Sequence, residues 1–378
     1  MKKIIFAIVG AGGGHKMPAI AVYESMQAIY SDQLDLRLMD FMQEIGCGEL
    51  DKQHKEMWKF YLRHPLWARI VHHSFSVSAW CVQLGIKNYA RPYHPQALEF
   101  LKREKPDLIF STHFLCSRVL TQLRKEHHLK FSIITYLTDV FYFSNLWLNR
   151  DVDHFVVASE QAKQQILKKG IPGDRVSVFP YPIRKSFFDL KRSREEITRS
   201  MDLDHSKKTL LITLGGESVA PVENYLQALV DRGLELNVIL VTGNNRELQR
   251  KIETVFCRTK PQIVCLGFVT NMSELIHISD FCFIKPGSAT TWEVMGHRKP
   301  IIFYRSAQIG EDGNIRFARK NGIGFYAGTS IRRFARIVTN FVHGAALSEC
   351  KKQYSLLSIE NGADPLARLI RQIVNSTS

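Results

Sequence analysis

Residues 280–304, DFCFIKPGSATTWEVMGHRKPIIFY, read as an apolar strand, a loop through Gly287, a helix from Thr290 and a second apolar strand. Neither strand alternates apolar with polar residues. Continuous apolar runs mark strands covered on both faces, and a strand-helix-strand crossover predicts a parallel sheet flanked by helices. Upstream, the same alternation starts at KTLLITLGG (208–216) and continues through LNVILVTGNN (236–245) and IVCLGF (263–268). The first half has the same rhythm. Stretches at 4–9, 34–39, 107–112, 131–137 and 154–158 read as strands and alternate with helical patterns that include 95–104, 115–127 and 159–169. The alternation stops at Pro180-Tyr-Pro182, and 184–208 is dense in charge, as a linker with one amphipathic helix would be. The chain therefore divides into 1–183 and 184–355, each α/β with a mainly parallel sheet, and 356–378, whose helix could pack back on the first domain.

A chain of 378 residues with 45% hydrophobic content can build two cores. Its 51 basic and 36 acidic residues leave a net charge of +15, which attracts polyanions: nucleic acid, acidic lipid or phosphorylated substrates. Seven cysteines are scattered with no C-x-x-C spacing, so neither a disulfide framework nor a zinc site is indicated, and a reducing cytoplasm is expected. The stretch 131–148 is interrupted by Asp139 and Asn145, so no spanning helix is expected. Four glycines within 10–14 break the apolar run that a secretion signal needs.

Ligands of such sheets collect outside the carboxyl ends of the strands. Gly10, Gly12, Gly13, Gly14, Gly215, Gly216, Gly243, Gly267 and Gly287 all fall at strand ends, giving each domain a rim of bare backbone, and two such rims facing each other enclose a cleft. The first rim, GAGGGH (10–15), follows a strand and precedes a helix-like run from Pro18. It half-matches a dinucleotide fingerprint, but the sixth place is His15 where a small residue is needed, and Asp40 lies farther on than the usual ~20 residues. An imidazole beside bare N–H donors points to chemistry, though a histidine at a helix start can also simply face water. On the second rim, the helix start at Thr290 offers N–H groups and a positive dipole end to an anion. Glu293 fits either a capping box with Thr290 or a carboxylate for ribose hydroxyls. SAQIGEDGNI (306–315) puts Glu311 and Asn314 on the same rim, where they could hold sugar hydroxyls.

GAGGGH, LGGE (214–217), GFVTNMSELIHISDFCFIKPGSATTWEVMGHRKPII (267–302) and GEDGN (310–314) together resemble the two-domain GT-B glycosyltransferases that include diacylglycerol glucosyltransferases, monogalactosyldiacylglycerol synthase and the lipid II-forming N-acetylglucosaminyltransferase. TDVFYFSNLW (138–147), VASEQAKQQILKKGIP (157–172) and YPIRKSFF (181–188) look closer to the diacylglycerol branch, and GHKMPAIAV (14–22) to the lipid II enzyme. The resemblance implies two Rossmann-like domains across a cleft, a UDP-sugar as substrate in the C-terminal half, a lipid acceptor in the N-terminal half, inversion, no cofactor and no required metal. By motif match, Glu293 takes the ribose hydroxyls. Ser288, Ala289 and Thr290 meet the diphosphate, Phe268 and Val269 border the uracil, Glu311 and Asn314 contact the donor sugar, and His15 is the candidate base. Asp139 is the competing base or the partner that orients His15. The transfer of glucose or galactose to diacylglycerol is the reading favoured, with N-acetylglucosamine transfer to a polyprenyl-linked cell-wall precursor as its alternative; an RNA-binding or NAD-dependent Rossmann protein is more remote. One departure concerns the acceptor: the diacylglycerol branch carries a histidine between its TD and W, and 140–146 has none, with Ser144 at the matching place.

Two further stretches bear on function. Residues 52–91 interleave Lys55, Lys59 and Arg63 with Trp58 and Trp67, a mixture suited to an anionic lipid surface. It would also suit RNA, or an ordinary helical pair, but the lipid acceptor favours peripheral attachment to the cytoplasmic face of the cell membrane with no nucleic-acid partner. Asp151-Val-Asp153 spells a metal-binding pair, yet it precedes its strand, on the rim away from the cleft.

Overall fold

The computed structural model describes residues 1–10, 13–63, 70, 79–214, 221–256, 259–306 and 309–376, without some side chains in 54–84 and at 309. Two compact units emerge. The first holds Met1–Lys185, Ala307–Gly313 and Glu360–Ser378, and the second Ser186–Ser306 and Asn314–Ile359.

In the first unit, β1 (Lys2–Ile8), β2 (Leu34–Asp40), β3 (Leu108–Ser111), β4 (Ser132–Tyr136), β5 (His154–Val157) and β6 (Val176–Val178) form one parallel sheet in the order β2-β1-β3-β4-β5-β6. The inner strands β3 and β4 are buried at every position, Ser111, Ser132 and Thr135 included, as strands covered on both faces are. The helix Gly13–Tyr30 buries Pro18, Ala19, Val22 and Met26. It starts five residues earlier than Pro18, where the sequence pattern begins. Proline inside a helix costs the bond its N–H would make to the carbonyl four residues back, and here that carbonyl is Gly14's, at the exposed end of the helix. The early start puts His15 in the first helical turn.

The helix Ala363–Ser376 packs on Gly13–Tyr30, where Ser25 Oγ donates to Asp364 Oδ1 at 2.5 Å. Asp364 in the first turn also suits the helix dipole. Asn361 clamps Ile183 from both sides, accepting from its N–H at 2.9 Å and donating to its carbonyl at 2.7 Å. A Cβ on Gly362 would lie 1.8 Å from the Pro180 carbonyl oxygen, so only glycine allows the chain to pass there.

In the second unit, β7 (Lys208–Thr213), β8 (Leu236–Val241), β9 (Gln262–Leu266), β10 (Phe281–Ile284), β11 (Ile301–Phe303) and β12 (Gly324–Tyr326) form a second parallel sheet, ordered β12-β11-β10-β7-β8-β9. Its core packs Phe281, Phe283, Tyr225, Phe334 and Phe341 around the central strands. The α/β class with two parallel sheets is as the apolar runs predict. The outer strands β6 and β12, three residues each, are additions to that expectation.

Candidate active site

In the first unit the strand order reverses between β1 and β3, and an open α/β sheet receives its ligand beyond the carboxyl ends at such a point. His15 stands there. Its Nδ1 lies 2.8 Å from the Thr112 carbonyl oxygen and 3.2 Å from Thr138 Oγ1. A carbonyl can only accept, so Nδ1 carries the proton and the neutral ring holds its lone pair on Nε2, the form a general base needs. In return, Thr112 Oγ1 donates to the His15 carbonyl oxygen at 2.7 Å. The ring is flanked by His113, edge to face at 4.8 Å, and by Trp147 at 5.8 Å. Beside it, among the described residues, a Cβ on Gly14 would meet nothing within 4 Å, and one on Gly13 only Met17 Cγ at 3.9 Å, which leaves the backbone room for an approaching group.

Asp139 follows β4 on the same rim. The Trp147 Nε1–H donates to its Oδ2 at 3.2 Å, so the indole touches both His15 and Asp139. Removal from water pushes the Asp139 carboxyl up to about 7, although the residue keeps part of its surface; the Trp147 bond opposes this and the Glu311 charge reinforces it. A carboxyl poised there can accept a proton at neutral pH. A Cβ on Gly310 would lie 2.7 Å from Asp139 Oδ1, so glycine is what lets the first turn of the helix Ile309–Lys320 come so near.

In the second unit the order reverses between β7 and β10. The loop after β7, with Gly215 and Gly216, lies outside the described residues, as does Gly12 in the first unit. After β10 the helix runs Ser288–Gly296 with Gly287, in extended conformation, as its N-cap. It therefore begins two residues before Thr290. Thr290 is the third helical residue rather than the cap, which removes the capping box with Glu293 as an explanation of that carboxylate. The N–H groups of Ser288, Ala289 and Thr290 fall in the first turn, where helices have no internal acceptors for them. Glu293, 8% exposed, is one turn farther on. Asn314 is buried and ties the loop down, its Nδ2 donating to the Pro286 carbonyl at 2.8 Å and lying 3.4 Å from Ser288 Oγ. Its enclosed Oδ1 has no partner among the described residues. Glu311 belongs to the first unit, Asn314 to the second.

Gly243 takes a positive φ of 60°, and Gly267 leaves room for Gln249 Oε1, 2.8 Å from where a Cβ would sit. Beyond β9, Phe268 is 72% exposed, an unusual state for so large a ring, and Val269 is half-buried. The helix Gly48–Arg63 carries Lys55, Trp58, Lys59 and Arg63, whose side chains lie outside the description, as does all of Trp67. Among the described residues no helix is long and apolar enough to cross a membrane. Asp153 is committed to the sheet, accepting from the Ile133 N–H at 2.7 Å and pairing with Arg124.

Thr112 and His113, which no sequence motif marked, join Thr138 and Trp147, the two ends of TDVFYFSNLW, around His15. The signal available was a threonine and a histidine closing the apolar run 107–112, at the same strand-end level as the glycine loop.

Residues 15–183 match the monogalactosyldiacylglycerol synthase family, and 210–307 match the glycosyltransferase family 28 C-terminal domain. Monogalactosyldiacylglycerol synthase 1, chloroplastic, of Arabidopsis thaliana is 26% identical over 361 residues, 90% of this chain and 64% of its own length. The probable monogalactosyldiacylglycerol synthase of Glycine max is 25% identical over 97% of the chain and 69% of its own. The chain thus spans about two thirds of the length of these relatives. In fold it is similar to S. aureus MnaA in a co-structure with UDP (TM-score 0.64, 13% identity, 98% of this chain and 95% of that one). It is also similar to MurG of Acinetobacter baumannii (TM-score 0.61, 14% identity, 98% and 100%).

Proposed function

Because residues 15–183 match the monogalactosyldiacylglycerol synthase family and 210–307 the glycosyltransferase family 28 C-terminal domain, we propose that the chain transfers a hexose from UDP-glucose or UDP-galactose to the hydroxyl of a lipid, diacylglycerol above all, on an anionic membrane surface. His15 Nε2 takes the hydroxyl proton as the oxygen attacks the anomeric carbon; the bond from that carbon to the diphosphate breaks with inversion, and its electron pair leaves on UDP. The N–H groups of Ser288, Ala289 and Thr290, with the positive end of their helix, absorb the charge that develops on the diphosphate. Glu293 holds the ribose hydroxyls and Phe268 with Val269 borders the uracil. Glu311 and Asn314, whose Oδ1 accepts a hydroxyl, hold the sugar. Gly12, Gly13 and Gly14 leave the acceptor room, and Lys55, Trp58, Lys59, Arg63 and Trp67 meet the membrane.

The observation that carries this reading is the bond between His15 Nδ1 and the Thr112 carbonyl, which leaves the basic nitrogen of a rim histidine on the ring's other side. The test is to incubate the protein with diacylglycerol vesicles and each UDP-sugar and to identify the lipid product by mass. A glycosylated diacylglycerol is expected. His15→Ala should lower kcat ~100-fold or more, with UDP affinity by calorimetry nearly unchanged. No product from any UDP-sugar would refute the transferase reading. Full turnover in His15→Ala together with loss in Asp139→Ala would move the base to the aspartate.

A further inference from the structure

We propose that His113 is a positioning residue for His15, fixing the plane of the base's ring; the inference rests on the reading of His15 as that base. His113 closes β3, is 2% exposed, and caps the helix Phe114–Glu126 through Nδ1, which accepts from the Leu115 N–H at 3.3 Å. Capping does not require an imidazole, because serine, threonine, aspartate and asparagine serve better. The ring has other work. It meets His15 edge to face at 4.8 Å and 75° and stacks on Phe114 at 4.4 Å and 28°. Phe114 packs at 5.9 Å on Trp147, which returns to His15 at 5.8 Å, so four rings form a closed cycle with the base as one member.

The backbone under His113 is equally constrained. Ser111 Oγ donates to its carbonyl at 3.0 Å and lies 3.3 Å from its N–H as acceptor. The preceding residue, Thr112, supplies the carbonyl that sets the His15 tautomer. Consecutive residues at one strand end thus divide two tasks. An imidazole bonded through Nδ1 can still turn about that nitrogen, because its second side-chain torsion is broad and soft. The His113 ring, 4.8 Å away and at 75° to it, opposes that turning and keeps Nε2 aimed.

Two substitutions separate the ring from the cap. His113→Asn keeps a good cap and loses the ring; His113→Phe keeps a ring and loses the accepting nitrogen. The inference expects His113→Asn to hold its melting temperature but lose kcat by about 10- to 100-fold, the scale of a misplaced catalytic group, with KM for the UDP-sugar unchanged. His113→Phe should melt lower yet keep kcat within a few-fold. In a His15→Ala background His113→Asn should cost nothing more, since it acts through the missing ring. Wild-type kcat in His113→Asn, or an undiminished further loss in the double variant, overturns the inference while leaving the base reading intact. Full activity of His15→Ala itself would instead refute that reading.

Discussion

The Asp139 carboxyl is a stability cost that pH should reveal. In the fold its proton is held up to about 7, against an ordinary value of 3.8, because burial penalises the charge and Glu311 adds to the penalty. Between those values the folded chain binds more protons than the unfolded chain, so unfolding free energy falls as pH rises through that window and stays reduced above it. The full interval corresponds to about 4 kcal/mol at most, and the residue's remaining solvent contact makes about 1–3 kcal/mol the expected size. Asp139→Asn preserves the volume and leaves an amide oxygen to accept from Trp147 Nε1, but it has no proton to lose. Urea unfolding followed by tryptophan fluorescence at pH 4, 5, 6, 7 and 8 should show the variant gaining on the wild type from pH 4 upward and levelling off above pH 7, with m unchanged. Curves that stay parallel across this range would refute the reasoning and return Asp139 to the ordinary carboxylate range.

Glu293→Ala should weaken UDP binding in calorimetry while circular dichroism remains native; equal affinity would reduce the carboxylate to a structural role. Reversing Lys55, Lys59 and Arg63 to Glu should release the protein from anionic vesicles in sedimentation and cut activity on membrane-embedded acceptor, at about 1 kcal/mol for each cation lost near the headgroups. Unchanged sedimentation would make Gly48–Arg63 a plain structural helix.

How much of this was legible depends on whether a feature is local. The strand centres LIF at 108–110, LLI at 210–212 and FCFI at 281–284 hold no polar residue, and a strand covered on both faces favours that, so parallel α/β sheets follow from side chains alone. The three-residue strands β6 and β12 escaped because so short a run has no period; they are strands by virtue of pairing with β5 and β11. Helix starts were also displaced, from Pro18 to Gly13, where two glycines and the proline were absorbed into the helix, and from Thr290 to Ser288, where Gly287 rather than Thr290 is the cap. The glycine rims and His15 stood out as residue types at strand ends, and Glu293 as a carboxylate one turn into the helix that follows such an end.

What sequence alone determined, then, was the alternation of strand and helix and the level in each strand at which polar and glycine residues gather. Only the tertiary structure decided which of them meet. His15 and Thr112 are 97 residues apart, and His15 and Thr138 123 apart. They are neighbours because β1 lies between β2 and β3 with β4 next in order, an arrangement no local pattern encodes. The His15 tautomer, the near-neutral Asp139 carboxyl and the cycle of four rings all follow from that order. Hydrogen-bond partners and loss of water are properties of proximity, and proximity across a parallel sheet is created by the long crossovers that place its strands.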